Sequence, residues 1–336
     1  MDLFPLNTVY CSTDNFSKFH KYFYNLYRAA FGYPQAFPRK LIERYNAKLL
    51  HAHFGTEGVY NLKLKNKAKL PMITTFYGVD VSALSKIPRW LKKYRRLFLE
   101  GDLFLVEGNC MKRELVRIGC PEEKVLVQHL GVDVDKMEFK PRTLTGLDHI
   151  TVLISASFRE KKGIPYAIEA FARARKKHPA LRLRILGDGE LRDCIVSLIE
   201  KLGLSSSVDL LGYQPHSVFI KELYDAQIFL QPSITAQDGD TEGGAPVSIL
   251  EAQATGLPVV SSYHADIPEA VVEGESALLA PEKDVDVLER HLNYLIEQQD
   301  IWKIMGLAGR KHIEEDYSIK KQVAKLEDIY DSIIYS

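Results

Sequence analysis

Two glutamates, Glu242 and Glu251, stand on either side of the run Gly243-Gly244-Ala245-Pro246. Pro246 suits the first position of a helix, because its missing N–H is one of the donors a helix start leaves unpaired anyway. Val247 to Thr255 then reads as a short helix stopped by Gly256 and Pro258. Glycines there let backbone N–H groups approach a ligand, and the positive end of the helix dipole favours an anion such as phosphate. Glu251 lies one turn beyond Val247 on the same face, where its charge repels phosphate and suits a neutral polyhydroxyl group such as a ribose. The stretch therefore predicts phosphate and sugar held side by side. Arg159, Lys161 and Lys162, in Ser157–Gly163, supply cations after a predicted strand, although a lysine pair before a helix is more often a solvated face. Asp238 and Asp240 flank a glycine, which is more often a turn than a metal site, and no metal is expected.

Strands alternating with helical stretches must position these residues. Strand-like runs occur at Lys48–His53, Pro71–Phe76, Asp102–Val106 and Lys124–His129. The second half repeats the rhythm at Ile150–Ala156, Leu181–Leu186, Ser207–Leu211, Ile228–Gln231 and Pro258–Ser262. This is the doubly wound α/β pattern of parallel sheets with covered faces, whose ligands sit at the carboxyl ends of the strands. With 336 residues the chain is long enough for two domains. The polar connection Lys140–Gly146 marks the boundary, giving domains 1–145 and 146–317.

Residues 1–145 carry 24 Lys+Arg against 14 Asp+Glu, while the whole chain has 44 of each. A basic half joined to an acidic half suits an anionic partner, such as a membrane surface or phosphorylated substrate, or complementary charge across a domain interface. Nothing points to nucleic acid. The aromatic and basic segments Phe16–Lys40 and Pro88–Phe98 fit either an anionic membrane interface or inward-packed aromatics with surface cations. Cys11, Cys110, Cys120 and Cys194 have no metal-ligand spacing and read as reduced thiols of a cytoplasmic protein. No secretory signal and no apolar run of about 18 residues is visible.

The stretches TEGGAPVSILEA, FREKKG, ILGDGELRD and HLGVDVD resemble glycosyltransferase family 4, in particular its bacterial exopolysaccharide and colanic-acid-type branch. The resemblance runs from about Leu41 to the C-terminus. It implies the GT-B fold: two Rossmann-like domains facing a cleft, with a last segment, 318–336, crossing back to the first. It also implies retaining transfer of a sugar from a nucleotide-diphosphate sugar to a glycan or lipid-linked acceptor, without metal or other cofactor; with the aromatic and basic segments above, the expected location is the cytoplasm, free or peripheral at the inner face of the membrane. By the same resemblance Glu251 holds the ribose, Glu242 faces the transferred sugar and Lys162 neutralises the diphosphate. Gly243, Gly244, Ala245, Pro246 and Val247 line the donor, and the backbone of Gly212 and Tyr213 meets the base. Two departures stand out. Eight residues separate the glutamates where the family has seven, and Ser157 replaces an arginine whose charge Arg159 would supply.

On the acceptor side the resemblance implicates His53, Tyr77, Gly78, Asp80 and Asn109. Tyr77 stands where the family commonly has histidine; a phenol donates a hydrogen bond but is a poorer proton carrier near neutral pH. His53 would compensate, although a lone histidine at a strand end is more often a packing residue. Family members open with a strand, a Gly-rich loop and a second strand, which the sequence before Leu41 does not display, so the N-terminal domain is expected to be shortened. Closure over the donor is expected, hinged near Pro141 and at the C-terminal crossover. Two other readings fit the same residues: a GT-B nucleotide-sugar epimerase, and a non-catalytic nucleotide-sugar-binding partner subunit.

Overall fold

The computed structural model describes residues 36–143 and 148–335. Most of Phe16–Lys40, the N-terminal 35 residues with Cys11, and residues 144–147 of the expected boundary lie outside the described residues. Strands β1 (Leu50–His53), β2 (Met72–Thr75), β3 (Leu103–Val106) and β4 (Val125–Val127) form one parallel sheet in the order β1-β2-β3-β4. A second parallel sheet joins β5 (Thr151–Ser155), β6 (Arg182–Leu186), β7 (Val208–Gly212), β8 (Ile228–Gln231), β9 (Val259–Ser262) and β10 (Ala277–Ala280). Its order is β10-β9-β8-β5-β6-β7, so the winding reverses between β5 and β8. The loops that leave those two strands carry Lys162 and Glu242, placing both at the crevice a switch point opens.

The apolar composition of the strands matches burial on both faces; Phe229, Leu230, Val259 and Val260 have no exposed surface. In the first domain Phe76, Tyr94, Phe98 and Phe104 make an aromatic core. The helix Pro88–Glu100 supplies Tyr94, Leu97 and Phe98 to that core and leaves Arg89, Lys92, Arg95 and Arg96 exposed. Its main aromatics are thus packing residues, and its cations form a separate outer face. Strand β10 was invisible in the sequence because Ala and Leu favour helices; pairing with β9 at the sheet edge makes it a strand.

Two features differ from the expected connection between domains. Val132, Val134 and Met137 pack with Leu250, Ala254, Ile313 and Tyr317 of the second domain. Buried Arg142 donates to the carbonyls of Leu223, Ala226 and Thr255. The segment through Arg142 therefore belongs by packing to the second domain, and Pro141 sits inside it rather than at a free hinge. The chain crosses earlier, where Val132 N–H donates to Tyr317 O (2.8 Å) and Ile319 N–H to Val132 O (2.9 Å). The outgoing and returning crossings lie side by side at this point. The helix Ile319–Ile334 then packs Ile329 against Ile73 and Leu105, and Lys325 Nζ donates to Val127 O at 2.7 Å.

Candidate active site at the domain cleft

Glu242 is held from three directions. Its Oε2 accepts from Lys162 Nζ at 2.7 Å, its Oε1 from Ser233 Oγ at 2.6 Å, and its own N–H donates to His264 Nε2 at 3.1 Å. Because Nε2 accepts, the other ring nitrogen of His264 carries the proton and donates to Glu282 Oε1 (2.6 Å). The side chains of Glu242 and Lys162 are 5% and 16% exposed, so the pair is largely desolvated. Ser233, His264 and Glu282 were missed by motif reading; the only signal was that His264 falls just beyond β9, at the end of a strand that lines the crevice.

Pro246 occupies the position before the first helical residue, not the first position itself, because its ψ of 128° is extended. The helix Val247–Ala254 still follows at once, and Glu251 lies one turn inside it. Glu251 Oε1 takes a 2.6 Å hydrogen bond from His216 Nε2, while burial pushes its carboxyl above the usual range. Gly212, with φ +68°, ends β7, Tyr213, 84% exposed, follows it, and His216 opens the next helix. Arg159 turns to Asp240 (3.4 Å), which also takes Lys161 (3.1 Å), so the DGD turn is pinned by cations. Lys162 alone of the three reaches Glu242.

The extra residue between the glutamates has a place in the fold. Gly243 adopts φ +83°, and a Cβ on it would lie 2.3 Å from the Cα of Gly78 in the other domain. Gly78, with φ +102°, would in turn drive a Cβ to 2.7 Å from Glu242 O. The domains touch here backbone to backbone, as only glycines allow.

The acceptor-side residues converge at the ends of β1 and β2. His53 Nδ1 meets Tyr77 OH at 2.5 Å, and His51 stacks on His53 at 4.3 Å. Burial and the neighbouring His53 lower His51 to about 4, so it stays neutral. The buried carboxylate of Asp80 accepts the N–H groups of Gly55 (2.8 Å) and Tyr77 (3.0 Å), joining two loops rather than facing open space. Asn109 donates from its backbone and side chain to Glu269 of the second domain. Asp266 accepts from the N–H groups of Cys110 (2.6 Å) and Met111 (3.4 Å). Two carboxylates of one domain therefore cap the helix Asn109–Arg117 of the other. A cavity of about 240 Å³ borders Gly78, Gly243 and His264 but neither Lys162 nor Glu251.

Residues 135–312 match the glycosyl transferases group 1 family, and residues 8–136 match glycosyltransferase family 4. The chain belongs to glycosyltransferase family 4. An Escherichia coli relative named "Putative colanic acid biosynthesis glycosyltransferase WcaL" is 35% identical over 289 residues, covering 84% of this chain and 70% of the relative. The amylovoran biosynthesis glycosyltransferase AmsK of Erwinia amylovora is 33% identical over 290 residues, covering 85% and 70%. Among solved structures, the Anabaena protein HepE with UDP and glucose aligns at a TM-score of 0.75 and 18% identity, over 88% of this chain and 80% of that one. Sucrose-phosphate synthase of Thermosynechococcus elongatus aligns at 0.75 and 18%, over 88% and 76%. The fold of this family 4 chain is GT-B.

Proposed function

We propose that the protein transfers a sugar from a nucleotide-diphosphate sugar to a glycan or lipid-linked acceptor in polysaccharide biosynthesis. The observation that carries the reading is the Lys162–Glu242 pair at the β5/β8 switch point, with Glu251 one turn inside the adjacent helix. In this reading Glu251 exchanges His216 for the ribose diol of the donor. Lys162 swings from Glu242 to the diphosphate, and Glu242 is freed for the hydroxyls of the sugar. Departure of the sugar builds negative charge on the leaving phosphate. Lys162, the N–H groups at the start of Val247–Ala254 and, after movement, Arg159 stabilise it in the role a divalent ion would otherwise fill. The reading includes retention of configuration, with the leaving phosphate taking the acceptor's proton on the same face. Relatives named for colanic acid and amylovoran synthesis support the polysaccharide assignment, and HepE crystallised with UDP and glucose supports the donor class. Among the described residues no helix is long and apolar enough to cross a membrane; the basic outer face of Pro88–Glu100 fits a peripheral site at an anionic surface.

The test is release of free nucleotide from UDP-, GDP- and ADP-sugars by the purified protein without added metal, in the presence and absence of bacterial lipid extract. Release from one donor, abolished in Glu242→Gln, supports the reading, and proton NMR of the product gives the anomer. A donor altered without loss of nucleotide favours an epimerase. Binding without any turnover makes a non-catalytic binding subunit the better account.

A further inference from the structure

Residues 232–246 run from β8 to the helix Val247–Ala254 with no strand or helix of their own, and Glu242 stands inside that loop. A loop of this length is placed by what holds it. Lys161 Nζ donates to Thr241 O at 2.8 Å, and Gly244 N–H donates to the carboxyl of Glu107, which follows β3 in the other domain. Between these two tethers, the backbone N–H of Glu242 has one partner among the described residues, Nε2 of His264 at 3.1 Å.

His264 does not act alone. Its Nδ1–H donates to Glu282 Oε1 at 2.6 Å. Glu282 also accepts from Thr235 N–H (2.8 Å, at Oε2) and from Thr235 Oγ1 (3.2 Å, at Oε1). Burial opposes ionisation of Glu282, but the Thr235 N–H and His264 hold its carboxyl below the usual range, so it stays charged. A carboxylate on Nδ1–H fixes the ring tautomer that leaves Nε2 free to accept. Thr235 and Glu242 belong to the same loop. The circuit Thr235–Glu282–His264–Glu242 therefore staples both limbs of that loop to the ends of β9 and β10.

The backbone marks the same two residues independently. Ala265 has φ +47° and Lys283 φ +67°, so two of the five non-glycine residues with positive φ among the described residues directly follow the pair. Such a conformation costs free energy and persists where its surroundings over-determine it, which is characteristic of functional sites. The His264 side chain is only 1% exposed. Filling that space alone would take an apolar side chain, with no ring nitrogens to satisfy.

We propose that His264 and Glu282 are positioning residues for sugar transfer: they fix the backbone at Glu242 so that its carboxylate stays on the sugar when Lys162 leaves it for the diphosphate. The proposal rests on the transferase reading and adds the device that holds Glu242 through turnover. Without the staple, Ser233 alone of the three groups on Glu242 remains once Lys162 moves.

Two substitutions separate the ring nitrogens, because an asparagine amide reaches the place of Nδ1 and a glutamine amide that of Nε2. His264→Asn keeps a donor for Glu282 and gives up the acceptor for Glu242 N–H. His264→Gln keeps that acceptor and gives up the donor. Each loses one buried hydrogen bond, so a merely structural histidine would affect stability and activity alike in both. The readouts are nucleotide release from UDP-glucose, UDP-N-acetylglucosamine, GDP-mannose and ADP-glucose with bacterial lipid extract, and calorimetric affinity for each sugar nucleotide and its parent nucleotide. His264→Asn is expected to lower kcat about ten- to hundredfold, as a misplacement of about 1 Å does. It should also abolish the extra affinity that the sugar adds, with affinity for the bare nucleotide kept within about twofold. His264→Gln should keep kcat at least about fivefold above His264→Asn. Equal kcat in the two variants, or equal loss of nucleotide and sugar affinity in His264→Asn, would overturn the proposal. Binding without turnover in wild type would sink the transferase reading; the proposal would then fall if the sugar added no affinity in wild type or added as much in His264→Asn. No sugar nucleotide bound by wild type would overturn both.

Discussion

Lys162 and Glu242 form a largely buried ion pair, and this couples function to stability more tightly than motif reading suggests. Removing one partner leaves the other charge buried and uncompensated, a loss of about 3–5 kcal/mol in comparable sites. Lys162→Ala is therefore expected to lower the urea midpoint markedly as well as slow transfer, and Lys162→Met with Glu242→Gln to recover most of the stability but none of the activity. Equal stability of wild type and Lys162→Ala would show that the pair is not formed in solution. The two glutamates, Lys162 and Tyr77 stand out in the sequence because their types are tied to short motifs, and the structure brings Lys162 to Glu242 and Tyr77 to His53. The residues that hold them were not. Ser233 and His264 lie far apart in sequence, and only the closeness of β8 and β9 brings both to Glu242. Glu107 gave no signal, since a glutamate after a strand looks like any surface carboxylate.

At the scale of elements, the glycine loop between β8 and the helix Val247–Ala254 is a domain contact and, in the proposed reading, also the donor loop. Gly243→Ala would put a methyl group against the Cα of Gly78 in a backbone region that costs a non-glycine residue about 1 kcal/mol or more. Thermal unfolding of the variant should shift by only a few degrees, while transfer falls at least about tenfold, because the clash falls on the closed contact rather than the core. Full activity in Gly243→Ala would mean that the contact is not used in turnover. Nine of the ten strands among the described residues were legible as β-branched or apolar runs bounded by turn residues. The tenth, Ala277–Ala280, was not, because its residues carry no strand preference and only the edge of β9 decides its state. The placement of Pro246 missed by one residue, within the range over which helix ends shift.

At the scale of the molecule, carboxylates of each domain are spent on N–H groups of the other: Glu107 on Gly244, Asp266 on Cys110 and Met111, Glu269 on Asn109. Burial raises Glu107 to about 7 and Asp266 to about 6; in each case like-charged neighbours add to the rise, Glu269 beside Asp266 among them, while Arg113 opposes it. In an opened molecule both would return toward the ordinary carboxylate range near 4. Closure therefore takes up protons. It is fully favoured only below the ordinary carboxylate range of about 4, weakens as pH rises from there to the raised values of about 6 and about 7, and weakens no further once both groups are ionised. Small-angle scattering should show the radius of gyration growing from about pH 4 to about pH 7 and levelling off above, with a smaller change in Asp266→Asn and least in Asp266→Asn with Glu107→Gln. A radius independent of pH in wild type would sink this. The two-domain plan was legible from alternating strands and helices. The point of crossing was not, because Pro141 and the polar residues around it look like a linker while Arg142 is anchored by three buried carbonyls. The paired crossings at Val132 and Ser318 depend on residues more than half the chain apart.

The central claim is that Glu251 and the helix behind Gly243-Gly244 hold the nucleotide of a sugar donor. Isothermal titration of wild type and Glu251→Ala with UDP, GDP and ADP in metal-free buffer tests it most directly. The account predicts that one nucleotide binds selectively and that Glu251→Ala weakens it by about tenfold or more, as loss of charge-assisted hydrogen bonds to a diol requires. Equal affinity in wild type and Glu251→Ala, or no binding of any of the three, would contradict it.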